Sequence, residues 1–169
     1  MSEYYAIGVM VGAVLVALIL KAIHNDGKVK TEYDERQLIV RGKSYTYAFW
    51  GMLLSNAVMM GLEEGPVELS VLGMNKFFIP ILIGIIVQIS YSIFHDAYKG
   101  MNDNMTRYMV IMTVVSVFNL FVGIMSWVRE GFIQNGKVYP LFANLMVGLL
   151  FLIVAIEMVI RKAMLDREE

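Results

Sequence analysis

Hydrophobic side chains gather into five long blocks, at roughly residues 4–22, 45–62, 77–94, 108–128 and 139–160, separated by short polar stretches. Each block approaches or reaches the ~20 residues of helix that cross a hydrocarbon core. Apart from Glu157, every charged residue lies between blocks or at their ends. A water-soluble bundle would instead carry charge at every third or fourth position. The pattern predicts an all-α polytopic membrane helix bundle: one transmembrane domain over residues 1–169 with five transmembrane helices. A cytoplasmic interfacial helix is expected at about 32–44.

Composition agrees with this pattern. Hydrophobic residues make up 58% and charged residues 17% of the 169 positions, against about half and a quarter in soluble domains; the mean hydropathy is +0.63. The chain has no cysteine, which rules out disulfides, thiolate catalysis and cysteine-ligated metal. A net charge of -1 gives no long-range attraction to nucleic acid. The first block has only Glu3 ahead of it and no basic leader, so it is expected to be a retained helix rather than a cleaved signal.

Lys and Arg in short loops set orientation. With the amino terminus outside, the inner segments hold Lys21, Lys28, Lys30, Arg36, Arg41, Lys43, Lys99, Arg107, Arg161, Lys162 and Arg167, and the outer segments only Lys76, Arg129 and Lys137. The expectation is N-out/C-in. Of the outer loops, "GLEEGPVELS" is acidic with a Gly-Pro turn, and "REGFIQNGKVYP" holds an Asn-Gly pair suited to a small hairpin.

The densest polar stretch is "TEYDERQLIVRGK", residues 31–43. Thr31 with Asp34 has capping-box spacing, and Glu32, Asp34 and Glu35 suit the first turn of a helix. Glu32 and Arg36 are an i,i+4 pair. Gly42 is the expected bend between a surface-lying foot and the second block, where Tyr45, Tyr47 and Trp50 form an interfacial aromatic belt. A second polar stretch, "HDAYKGMNDN" at 95–104, falls on the same side of the membrane. Together the two make a cytoplasmic polar patch of Asp34, Glu35, Arg36, Gln37, Arg41, Lys43, Asp96, Tyr98 and Asn102, with His95 beside it. It reads as a closed polar network facing anionic lipid head groups, or as a site for a charged ligand or partner.

These motifs carry a resemblance. D-E-R-Q at Asp34–Gln37, R-G-K at Arg41–Lys43 before a Tyr-rich helix, D-A-Y at Asp96–Tyr98 and the downstream Asn102 resemble a family of small uncharacterised integral membrane proteins from Firmicutes. The resemblance covers about a third of the chain in detail and does not extend to His95 or Lys99. It implies a multi-pass protein of a bacterial plasma membrane and no particular chemistry.

Inside the blocks lie four amides, Asn56, Gln88, Asn119 and Asn144, with the hydroxyls of Ser55, Ser90, Thr113, Ser116 and Ser126. They are expected to turn inward, as interhelical hydrogen bonds or as the lining of a small-molecule cavity. Glu157, one turn before Arg161, is expected to pair with it. Fourteen methionines are spread over the chain as flexible core filler, and Gly8 with Gly12 has small-xxx-small spacing.

No catalytic motif emerges. His24 and His95 lack i,i+4 ligand pairing, "GKS" at 42–44 lacks the upstream glycine and preceding strand of a phosphate loop, and no G-x-S-x-G occurs. No cofactor, metal site or nucleic-acid partner is therefore expected. The leading expectation is a non-catalytic accessory, immunity or regulatory protein that binds a partner or lipid through its cytoplasmic patch; the alternative is a small-molecule carrier or binder using the intramembrane amides. A homodimer is compatible with the small residues in the blocks.

Overall fold

A computed structural model describes residues 32–65, 69–101, 103–138 and 142–168. The first block, with Gly8 and Gly12, lies outside the described residues, as do His24, Thr31 and Asn102. The described chain is almost wholly helical: α1 (Glu35–Glu63), a 3-10 segment (Leu69–Phe77), α2 (Phe78–Phe94), α3 (Met105–Glu130), a two-stranded hairpin and α4 (Phe142–Glu168).

Three stretches are long and apolar enough to cross a membrane: Leu69–Phe94, Met105–Glu130 and Phe142–Arg167, each of 26 residues. At 1.5 Å per residue each would reach about 39 Å as α-helix, enough for a ~30 Å core. The block at 45–62 falls short of the same apolar standard, because Tyr45, Thr46, Tyr47, Trp50, Ser55 and Asn56 dilute it. The chain thus has three candidate spans among the described residues.

Foot and second block form one helix. α1 runs unbroken through Gly42, where nothing lies within 4 Å of an added Cβ. The expected bend is absent, since a single glycine weakens a helix by only about 1 kcal/mol, well within what its neighbours sustain.

The helices stand in the order α1, α2, α4, α3, with α2 packed between α1 and α4, and α3 on the far side of α4. Buried Ile93, Leu150, Val154 and Met158 form the core between α2 and α4, toward the end of the helices where α2 finishes, backed by Ile86, Ile89, Tyr108 and Phe151. Elsewhere large apolar side chains face outward, among them Leu54, Val114, Phe118, Phe121 and Ile156. Apolar exposure on this scale is unusual for a soluble monomer and ordinary for a surface that meets lipid.

The end opposite the core is tied by short-range devices. Asn135 and Gly136 adopt φ 51° and 75°, the left-handed pair that a tight two-residue hairpin demands. They join β1 (Ile133–Gln134) to β2 (Lys137–Val138), paired antiparallel. Gly73, at φ 55°, breaks the 3-10 segment beside Lys137. Buried Asn75 donates from Nδ2 to the Val138 carbonyl at 3.3 Å, and Lys76 pairs with Glu63.

Candidate functional site

The N-terminus of α1, the connection 95–104 and the last turns of α4 meet at the other end, and the first polar stretch makes the joint. Asp34 is the N-cap of α1. Its Oδ1 accepts the Gln37 backbone N–H at 2.6 Å, and Gln37 Oε1 accepts the Asp34 N–H at 3.2 Å. This is a reciprocal capping box, set three residues later than the Thr31–Asp34 spacing suggests. It also fixes the direction of the Gln37 side chain. Nε2 then donates to two carbonyls of the connection, Asp96 at 2.7 Å and Lys99 at 3.3 Å.

Arg41 lies one turn further along. Its guanidinium donates to the Ala97 carbonyl at 3.2 Å and the Tyr33 hydroxyl at 3.3 Å, and sits 4.4 Å from the Tyr33 ring centroid. Three carbonyls around the turn, those of Asp96, Ala97 and Lys99, thus have named donors, as buried backbone requires.

The turn itself is strained. Asp96 has φ 56°, a left-handed conformation rare outside glycine, asparagine and aspartate. What holds it is Arg161 of α4, whose Nε donates to Oδ1 at 2.9 Å and whose second nitrogen donates to Oδ2 at 2.5 Å. This bidentate fork joins α4 to the α2–α3 connection. It also corrects the expected pairing of Arg161 with Glu157. Glu157 instead accepts the Ser90 hydroxyl at 2.8 Å through Oε1, while its Oε2 is buried with no hydrogen-bond partner among the described residues.

The predicted patch therefore divides. Asp34, Gln37, Arg41 and Asp96 come together in the joint. Glu35, Arg36 and Lys43 are exposed beside it and carry no ion pair among the described residues. Asn102 lies outside the described residues. Tyr98 packs edge-on against Tyr108 with ring centroids 5.6 Å apart, and burial pushes its hydroxyl pKa up. His95 stacks on Tyr91 at 4.0 Å, and its Nδ1 lies 2.8 Å from the Tyr91 carbonyl.

Beside the joint a cavity of about 470 Å³ opens between Gln37, Tyr98, Lys99, Met105, Lys162 and Asp166. The four amides of the apolar blocks, by contrast, do not converge. Asn56 is exposed and donates back to the Met52 carbonyl at 2.9 Å, and Asn119 donates to Val115 at 2.8 Å. Both satisfy themselves one turn back on their own helix, so Asn56 has no need to turn inward. Gln88 borders an open groove of about 310 Å³ between α1 and α2, and Asn144 is half-buried near the start of α4.

The Ser116 hydroxyl makes the interhelical hydrogen bond expected of it, whereas the close glycine contacts around it escape a reading of the sequence. Ser116 of α3 donates to the Gly148 carbonyl of α4 at 2.8 Å. Around it Gly123 faces Leu145 and Gly148 faces Leu120, so closely that a Cβ on either glycine would lie under 3 Å from the other helix. Ser116 and Gly123 lie seven residues, about two turns, apart on α3, which was the available signal.

No family model, curated protein or solved structure matches the chain.

Proposed function

We propose that the chain is a multi-pass protein of a bacterial plasma membrane, with five spans and an N-out/C-in orientation, that acts without catalysis by binding a protein partner at its cytoplasmic face. One observation carries this reading: the joint satisfies its own buried members and leaves Glu35, Arg36 and Lys43 exposed on the same helix. Charged residues mounted on a rigid, internally bonded support are what recognition of a polar partner needs. The excess of Lys and Arg at this end supports its cytoplasmic placement. The D-E-R-Q and R-G-K residues, similar to those of the Firmicutes membrane proteins, support the bacterial one.

Two measurements test it. In the cysteine-free chain, single Lys43→Cys and Lys137→Cys variants are expected to react with a membrane-impermeant thiol reagent from opposite sides, Lys137→Cys from the medium. Labelling of both from one side would overturn the topology. Second, the Arg36→Ala/Lys43→Ala variant is expected to lose its crosslinked partners in native membranes by at least about tenfold at unchanged thermal stability. Arg41 is unsuitable for this purpose, because it holds the Ala97 carbonyl. Undiminished crosslinking in the double variant would refute partner binding through this face.

A further inference from the structure

The geometry points to a binding site for one anionic glycerophospholipid in the 470 Å³ cavity at the joint, its phosphate facing Lys99 and Lys162 and its glycerol and upper acyl carbons lying along Ile93, Met105 and Leu165. This rests on the membrane placement proposed above and goes beyond it by naming a ligand and its residues.

Position comes first. Ile93 closes α2, Met105 opens α3, and Lys162, Leu165 and Asp166 belong to the last two turns of α4. All three helices are candidate spans, so the cavity sits where hydrocarbon gives way to head groups. Charge comes second. The Asp96 carboxylate is neutralised by the Arg161 fork. The remaining charged walls are Lys99, Lys162 and Asp166, which leaves one excess positive charge. Among the described residues the Lys99 ammonium reaches only the Asp103 carbonyl, at a long 3.5 Å, and exposed Lys162 has no ion pair. Both are available to an anion.

Apolarity decides the class of anion. Buried Ile93, half-buried Met105 and exposed Leu165 line the same cavity as the two lysines. Inorganic phosphate would engage the lysines but leave Met105 and Leu165 wet and most of the volume unfilled. A phosphoglycerol head with the start of its acyl chains satisfies both halves, and the bilayer supplies it at high local concentration. The joint preorganises the walls, since Gln37 and Arg161 fix the turn that carries Lys99.

The test is native mass spectrometry of the full chain in non-ionic detergent, titrated with phosphatidylglycerol, phosphatidylcholine or inorganic phosphate. One phosphatidylglycerol per chain should be retained, in clear preference to phosphatidylcholine. Lys99→Gln/Lys162→Gln should weaken its retention about thirtyfold. Asp166→Asn, which removes the opposing charge, should strengthen it about fivefold. Opposite signs from the two variants separate a lipid site from misfolding. Equal retention of both lipids, no change in either variant, or displacement of lipid by micromolar inorganic phosphate would each overturn the assignment. Such a failure, with thiol labelling and the crosslinking loss of the Arg36/Lys43 variant intact, would sink the lipid site alone.

Discussion

Arg161→Ala is expected to lower the unfolding free energy by about 2–3 kcal/mol, read as a fall of roughly 5–10 °C in the thermal midpoint in detergent micelles. The substitution removes both arms of the fork and leaves the Asp96 carboxylate without its cation, in a turn already at φ 56°. Stranding a fully buried charge costs about 3–5 kcal/mol. The lower range applies because the Asp96 side chain is 35% exposed, so water recovers part of the loss, whereas Arg161 is only 13% exposed and loses packing as well. Asp96→Asn keeps the tolerance for left-handed backbone and one arm of the fork, and should cost less than Asp96→Ala. A double-mutant cycle between Asp96 and Arg161 should return a coupling of about 1–3 kcal/mol. Additive effects, or an unmoved midpoint in Arg161→Ala, would show that the fork does not hold the joint.

That fork also marks the limit of what the sequence discloses. Glu157 and Arg161 are one helical turn apart, so local spacing makes them partners. Asp96 lies 65 positions away, and no periodicity encodes that meeting. Short-range chemistry reads well: the Asn-Gly pair makes its hairpin, and the polar stretch at 31–43 contains a true capping box. The box begins at Asp34 rather than Thr31 because Gln37, unlike Asp34, can return a side-chain acceptor to the cap while its amide nitrogen still reaches the Asp96 carbonyl. One further atom, Gln37 Nε2, makes two tertiary contacts that the local pattern does not contain.

The same limit explains α1 and the amides. Gly42 suggests a bend because glycine often permits one, yet Gln37 and Arg41 on one side and packing against α2 on the other keep the helix continuous. For Asn56 the rule that amides avoid lipid is met without tertiary structure, by its bond to the Met52 carbonyl. Three of the blocks are legible as candidate spans from composition alone. The division of the polar patch into a bonded joint and the exposed Glu35, Arg36 and Lys43 required knowing which face of α1 meets the 95–104 connection.

Gly148→Ala and Gly123→Ala are expected to separate α3 from α4. A Cβ on Gly148 would lie 2.8 Å from Leu120 Cγ and 2.9 Å from the Leu120 backbone nitrogen; one on Gly123 would lie 2.6 Å from Leu145 Cγ and 2.9 Å from the Leu145 nitrogen. Side chains can rotate away, but a backbone nitrogen moves only with its helix. Each substitution should therefore cost about 1–3 kcal/mol, and the pair should couple because both act on one interface. Separation would also lengthen the Ser116 bond to the Gly148 carbonyl, now 2.8 Å, and in lipid no water replaces it. Trimming Leu120 to alanine alongside Gly148→Ala should recover only part of the loss, since the backbone contact persists. Gly42→Ala on α1 is the matched control: nothing lies within 4 Å of its new Cβ, so helix propensity alone acts and stability should rise by up to about 1 kcal/mol. Opposite signs for one chemical change at Gly148 and Gly42, measured by thermal unfolding in the same detergent, are the expected result. Equal responses would mean that α3 and α4 do not touch through these two glycines.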